Sequence, residues 1–167
     1  MKSLLLFFMF LIGTIINCLA QNNIDTTKKF NMFYLPEYYK EKGVFFNKDY
    51  VVGIDMKQLQ VRYTPTKKDL IKAEEIFSKK YNEFQRKSIN TKKFFCHWVR
   101  QYVGLIDSNR NKNIVVELID NTKPRKLNRL LGKNWETEFV IYFSDPHPSL
   151  GILFRIDIVT GEMSRQL

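Results

Sequence analysis

The residue types that could do chemistry are few. Cys96 and His97 are adjacent, and a thiolate nucleophile needs a base or a positive charge beside it. In an aromatic strand read over 94–107, neighbouring side chains point to opposite faces. His97 then cannot activate Cys96, and the thiol reads as a small buried residue beside Phe94 and Trp98. His147 reaches Cys96 only if the fold brings it there. The two histidines lie far apart in sequence and make no metal-ligand spacing. Asp145-Pro146-His147-Pro148 reads as turn chemistry. Asp107, Glu117, Asp120, Glu136, Glu138 and Asp157 fall at strand ends or on faces expected to be exposed, so they form no acid–base pair. The 7 glycines are dispersed and build no phosphate loop. No catalytic residue, metal ligand or cofactor is assigned. What remains is the densest basic loop, Lys123-Pro124-Arg125-Lys126 with Arg129, and Lys123, Arg125, Lys126 and Arg129 are the candidate binding residues.

Bulk charge points the same way. The 167 residues carry a formal net charge of +10, which suits a protein or an anionic surface polymer as partner, while the scatter of the lysines in pairs is the pattern of an ordinary solvated surface. Aromatic rings interleaved with the basic loop are not evident, so nucleic acid is not the expected partner. Residues 1–20 read as a secretory signal peptide. Lys2 precedes an apolar run from Leu4 to Ile16, too short to span a bilayer, and Cys18-Leu19-Ala20 ends it with small residues. The expectation is an exported protein, periplasmic or extracellular, with no transmembrane segment in its mature part. A lipid anchor on Cys18 is the alternative, and Asn17 before it fits that poorly. Without Cys18, Cys96 has no partner for a bridge, and packing alone must hold the fold.

The elements that must position these residues follow from periodicity. Residues 21–56 are rich in aromatics without a lasting period, and read as an arm laying rings on the domain. Residues 57–167 read as a single α+β domain. In 57–63, Leu59, Val61 and Tyr63 alternate with polar residues and predict a strand that Pro65 ends. Thr66 caps a helix over 67–87, with Leu70, Ala73, Phe77, Tyr81 and Phe84 in one apolar stripe. Strands follow over 94–107, 114–119, 139–143 and 151–159, separated by short polar turns that favour antiparallel neighbours. The expected fold is one long helix packed on a four- to five-stranded antiparallel sheet.

Strand, helix and then a meander is an order that resembles cystatin-like folds, and this implies an inhibitor of a protease or toxin. The inhibitory Gln-x-Val-x-Gly hairpin of that class is approached by Gln101-Tyr102-Val103-Gly104, one residue short and inside a strand, so the role is not carried over. Arg100-Gln101-Tyr102-Val103-Gly104-Leu105-Ile106 and Phe154-Arg155-Ile156-Asp157-Ile158-Val159-Thr160-Gly161 resemble segments of small exported proteins of Bacteroidetes that have no assigned activity. That resemblance implies an exported bacterial protein and adds no chemistry. The expected function is a non-enzymatic exported binding domain. The alternatives are the inhibitor and a weak hydrolase with a cleft near Cys96 and His147.

Overall fold

The structure is a computed structural model that describes residues 28–40, 43–52, 61–85, 89–132, 136–139 and 151–166. The leader with Cys18, the first part of the 57–63 strand, the 140–143 strand and the Asp145–His147 turn lie outside the described residues.

A seven-stranded sheet organises the chain. Its strands are β1 (Phe30–Phe33), β2 (Gly43–Phe46), β3 (Val61–Tyr63), β4 (Trp98–Ile106), β5 (Lys112–Asp120), β6 (Gly151–Asp157) and β7 (Met163–Gln166). Helices α1 (Lys67–Gln85), α2 (Thr91–Phe94) and α3 (Pro124–Leu131) complete the described elements. The sheet runs β1-β2-β4-β5-β6-β7, with β3 also on β4.

This corrects the expected architecture of one long helix on a four- to five-stranded antiparallel sheet. The sheet is larger and mixed: β2 runs parallel to β4, Gly43 opposite Arg100 and Phe46 opposite Val103. The crossover between them carries β3, α1 and α2, long enough for the parallel return that short turns cannot make. The aromatic segment read as an arm supplies β1 and β2. Their four residues are too few to display a period, and Gly43–Phe46 is buried on both faces, so it shows no alternation.

β4 is flanked on one edge by two strands in succession. β2 takes residues 100–103 and antiparallel β3 takes 104–106. Arg62 closes this seam by donating to the carbonyls of Gly104 (3.2 Å), Tyr50 (3.1 Å) and Asn47 (3.2 Å). Burial pulls its guanidinium down to about 10. Gly104 makes room for the β3 backbone: a Cβ there would come within 2.5 Å of the Tyr63 carbonyl oxygen.

Helix α1 begins where the sequence places it. The Thr66 hydroxyl accepts from the Asp69 amide at 3.2 Å, and Asp69 Oδ2 accepts from the Thr66 amide at 2.9 Å. Leu70, Ala73, Phe77 and Tyr81 are buried against Phe95, Tyr102, Val116, Phe154 and Ile156. Each such side chain contributes about 1.5–3 kcal/mol when fully removed from water. Tyr81 and Phe95 meet edge to face at 4.9 Å.

The same stripe buries a charge. Glu74 is four residues from Leu70 and three from Phe77, so helix geometry puts it in the interface, at 2% exposure. Arg100 of β4 answers it with Nε 3.4 Å from Glu74 Oε1. The Tyr102 hydroxyl donates to the same oxygen. The guanidinium also lies 4.4 Å from the Tyr39 ring centre and donates to the carbonyls of Phe95 and Trp98, each at 2.6 Å. Burial, reinforced by the Glu74 charge, holds the Tyr102 phenol well above its ordinary value. Arg100→Ala leaves this carboxylate unpaired in the core, and its expected cost is about 3–5 kcal/mol. Combining Arg100→Met with Glu74→Leu removes both charges and is expected to cost less than the single change. Urea unfolding of both variants checks this.

Candidate functional site

Alternation along β4 and β5 gives the sheet a second face, opposite α1. On it, register places Val99 beside Ile119 and Gly151, Gln101 beside Glu117 and Leu153, and Val103 beside Val115 and Arg155. This face was expected to be exposed, and its central part is covered. Leu127 is 1% exposed and packs, with Leu131, on Val99 and Ile119. Phe139 joins Phe46, Val103, Val115 and Leu153, and meets Phe46 edge to face at 5.6 Å. Two hydrogen bonds tether the 136–139 segment: Gln101 Nε2 donates to the Glu138 carbonyl at 2.8 Å, and the Phe139 amide donates to the Tyr50 hydroxyl at 3.1 Å.

The candidate binding residues sit on the outside of this cover. Proline at the first turn suits the start of α3, because its missing amide hydrogen has no helical acceptor there. Leu127 and Leu131 face inward, which leaves Lys123, Arg125 and Arg129 exposed and Lys126 half-exposed. The structure therefore brings the sequence-assigned residues together on one short amphipathic element. Lys123 is the N-cap and makes no side-chain capping bond, and the first turn holds no acidic residue. Helices favour the opposite pattern, since their N-terminal amides carry partial positive charge. Here the basic groups add to that field instead of offsetting it.

Beneath the cover lies a group that the sequence reading misplaced. Glu117 was expected among exposed acids. It is 2% exposed on the central strand, and its Oε2 has no hydrogen-bond partner among the described residues. Its row, with Gln101, separates the Val99–Ile119–Leu127 cluster from the cluster around Val103 and Phe139. Gly151 leaves the space that Glu117 Oε1 occupies, where a Cβ would collide with it. Burial raises the Glu117 carboxyl from 4.5 to about 8. The signal was available in Ile114-Val115-Val116-Glu117-Leu118-Ile119. A run apolar on both faces marks a strand covered on both sides, so a charge inside it must be buried.

Cys96 and His97 do not lie in a strand as expected. They occupy the turn between α2 and β4, with Cys96 half-buried, His97 exposed, and Phe95 as the fully buried member of the segment. The hydrolase cleft with His147 falls outside the described residues. Gln101-Tyr102-Val103-Gly104 is completely interior to β4 and cannot be presented as a hairpin tip. No group of three or more His, Cys, Asp or Glu among the described residues is placed to hold a metal ion, and no described helix is long and apolar enough to cross a membrane. Comparison with known proteins found no matching family model, curated protein or solved structure.

The buried carboxyl makes stability depend on pH. Below about pH 4.5 the folded and unfolded chains both hold this proton, and between there and about pH 8 only the folded chain keeps it. The unfolding free energy is thus expected to fall as pH rises through this window, by on the order of 5 kcal/mol, and to level off above it. Glu117→Gln keeps the shape without the titration. It should lose that part of the slope and exceed the parent in stability at pH 8–9, as urea unfolding across pH 5–9 will show. Identical pH slopes for the two proteins would mean that Glu117 does not fold as a buried acid.

Proposed function

We propose that this protein is a non-enzymatic binding domain that engages an anionic partner through the outer side of α3. One observation carries the reading: Lys123, Arg125, Lys126 and Arg129 share a helix anchored by Leu127, and no ion pair to them is formed among the described residues. Elsewhere in the fold, basic side chains such as Lys80, Arg100, Lys112 and Arg155 do face carboxylates. The positive end of the α3 backbone adds to the attraction for phosphate, sulfate or carboxylate groups. The strong net positive charge supports long-range steering toward such a partner. Export to the periplasm or the cell exterior belongs to the same reading, with the leader at 1–20 as its support.

The basic N-cap separates stability from binding. Lys123→Asp supplies the missing cap and a favourable charge, and is expected to stabilise the fold by about 0.5–1 kcal/mol. The same change should weaken binding to immobilised dextran sulfate, and Arg125→Glu with Arg129→Glu should weaken it at least about ten-fold. Raising salt from 50 to 300 mM should erase most of the difference, because these charges are exposed and screened. Unchanged retention of the double variant at low salt would remove α3 as the binding element.

A further inference from the structure

We infer that the end of the sheet where β4 begins is a docking surface for an anionic lipid bilayer, with Phe94 and Tyr34 as its apolar anchors. The inference rests on the α3 reading and deepens it by naming the partner.

Register places the parts together. Phe33 is opposite Gly43, and Gly43 is opposite Arg100, so the chain leaving β1 emerges at the end where β4 starts. Trp98 is opposite Asp120, so β5 finishes at this same end, and α3 follows it directly. Segment 34–40 is tied to the α2–β4 turn by the Lys40 amide, which donates to the Cys96 carbonyl at 2.8 Å. Lys92 Nζ lies 4.8 Å from the Tyr38 ring centre and joins α2 to that segment. Basic groups therefore border this end on both faces of the sheet: Lys40, Lys92 and Lys93 on the α1 side, and the basic residues of α3 on the other. The acids near this end are outnumbered: Asp120 is engaged by the Thr122 amide at 2.9 Å, Glu37 and Glu75 lie near Tyr38, and exposed Glu136 and Glu138 belong to the segment that Gln101 holds.

Charge alone would suit any polyanion, and two exposed rings decide for lipid. Phe94 is 57% exposed and Tyr34 51%. Phe94 follows Lys92 and Lys93 directly, and its ring stands edge-on to buried Phe95 at 4.8 Å. Phe95 is held in turn by Phe77, Tyr81 and Trp98. Phe94 is thus an exposed apolar group on a rigid mount, so inserting it costs little ordering. A polyphosphate offers such a ring nothing apolar, and an acidic polysaccharide offers only the C–H face of a sugar to stack on, not an apolar layer to enter. A bilayer offers head-group phosphates to the lysines and arginines, and an acyl boundary to the rings.

The test is co-sedimentation of the protein without its leader (residues 21–167) with vesicles of phosphatidylglycerol and phosphatidylcholine (3:7), with pure phosphatidylcholine vesicles, and with dextran sulfate beads in parallel. The expected result is binding to the anionic vesicles and not to the neutral ones. Phe94→Ala combined with Tyr34→Ala should weaken vesicle binding about ten-fold. Dextran sulfate binding should stay unchanged, and a cooperative urea transition like the parent's reports that the variant is folded. Dextran sulfate binding with no vesicle binding, or vesicle binding indifferent to the rings, overturns the lipid inference and leaves the α3 reading standing. Absence of binding to either probe overturns both.

Discussion

The arrangement depends on β4 being buried on both faces while carrying polar side chains toward each. Arg100 points to the α1 side, and a guanidinium sealed from water needs a carboxylate and acceptors around it. Glu74 provides the charge, and the carbonyls of Phe95 and Trp98 provide the acceptors. One side chain thereby joins the middle of α1, the sheet and the turn that leads into β4. That turn carries α2, so the exposed ring of Phe94 and the lysines beside it take their position from an interaction in the core.

Gln101, the next residue, does the same on the other face with less charge. Its amide holds the 136–139 segment, and α3 covers the neighbouring row through Leu127. Between them the face is divided by Glu117, whose carboxyl is shifted by burial toward the neutral form. The α1 side is an aromatic interior closed by an ion pair. The second side is a thinner cover over a polar row, and the basic surface assigned to binding is the outside of that cover. Lys123 at the start of α3 is a poor choice for the helix and a good one for an anion. Under the proposed anion-binding role, charge at this position trades local stability against recognition.

The legible parts of the fold were those with a period long enough to read. The α1 stripe from Leu70 to Tyr81 and the Thr66 cap are local features, and they form as the residues dictate. The turns after β4 and β6 are likewise local, held by Asp107 accepting from the amides of Asn109 and Asn111 and by Asp157 accepting from those of Val159 and Thr160. The basic residues of α3 were legible as a cluster, read there as a loop and not as the helix they form. Glu117 was misjudged because a charged residue in an apolar pattern was read by its type instead of by its position, and the same pattern buries Glu74. Strands β1 and β2 were missed because four residues are too few to show a period, and β2, buried on both sides, has no alternation at all.

By itself the sequence determined which residues are basic and clustered, and where the long helix starts. These follow from side-chain type and near-neighbour spacing, which act over one or two turns of chain. Only the tertiary structure decided that Gly43–Phe46 lies parallel to β4, that Arg100 meets Glu74, and that Glu117 is covered. Each of these joins residues distant in the chain, and such contacts are set by which surfaces can be buried together, a condition that no single segment encodes.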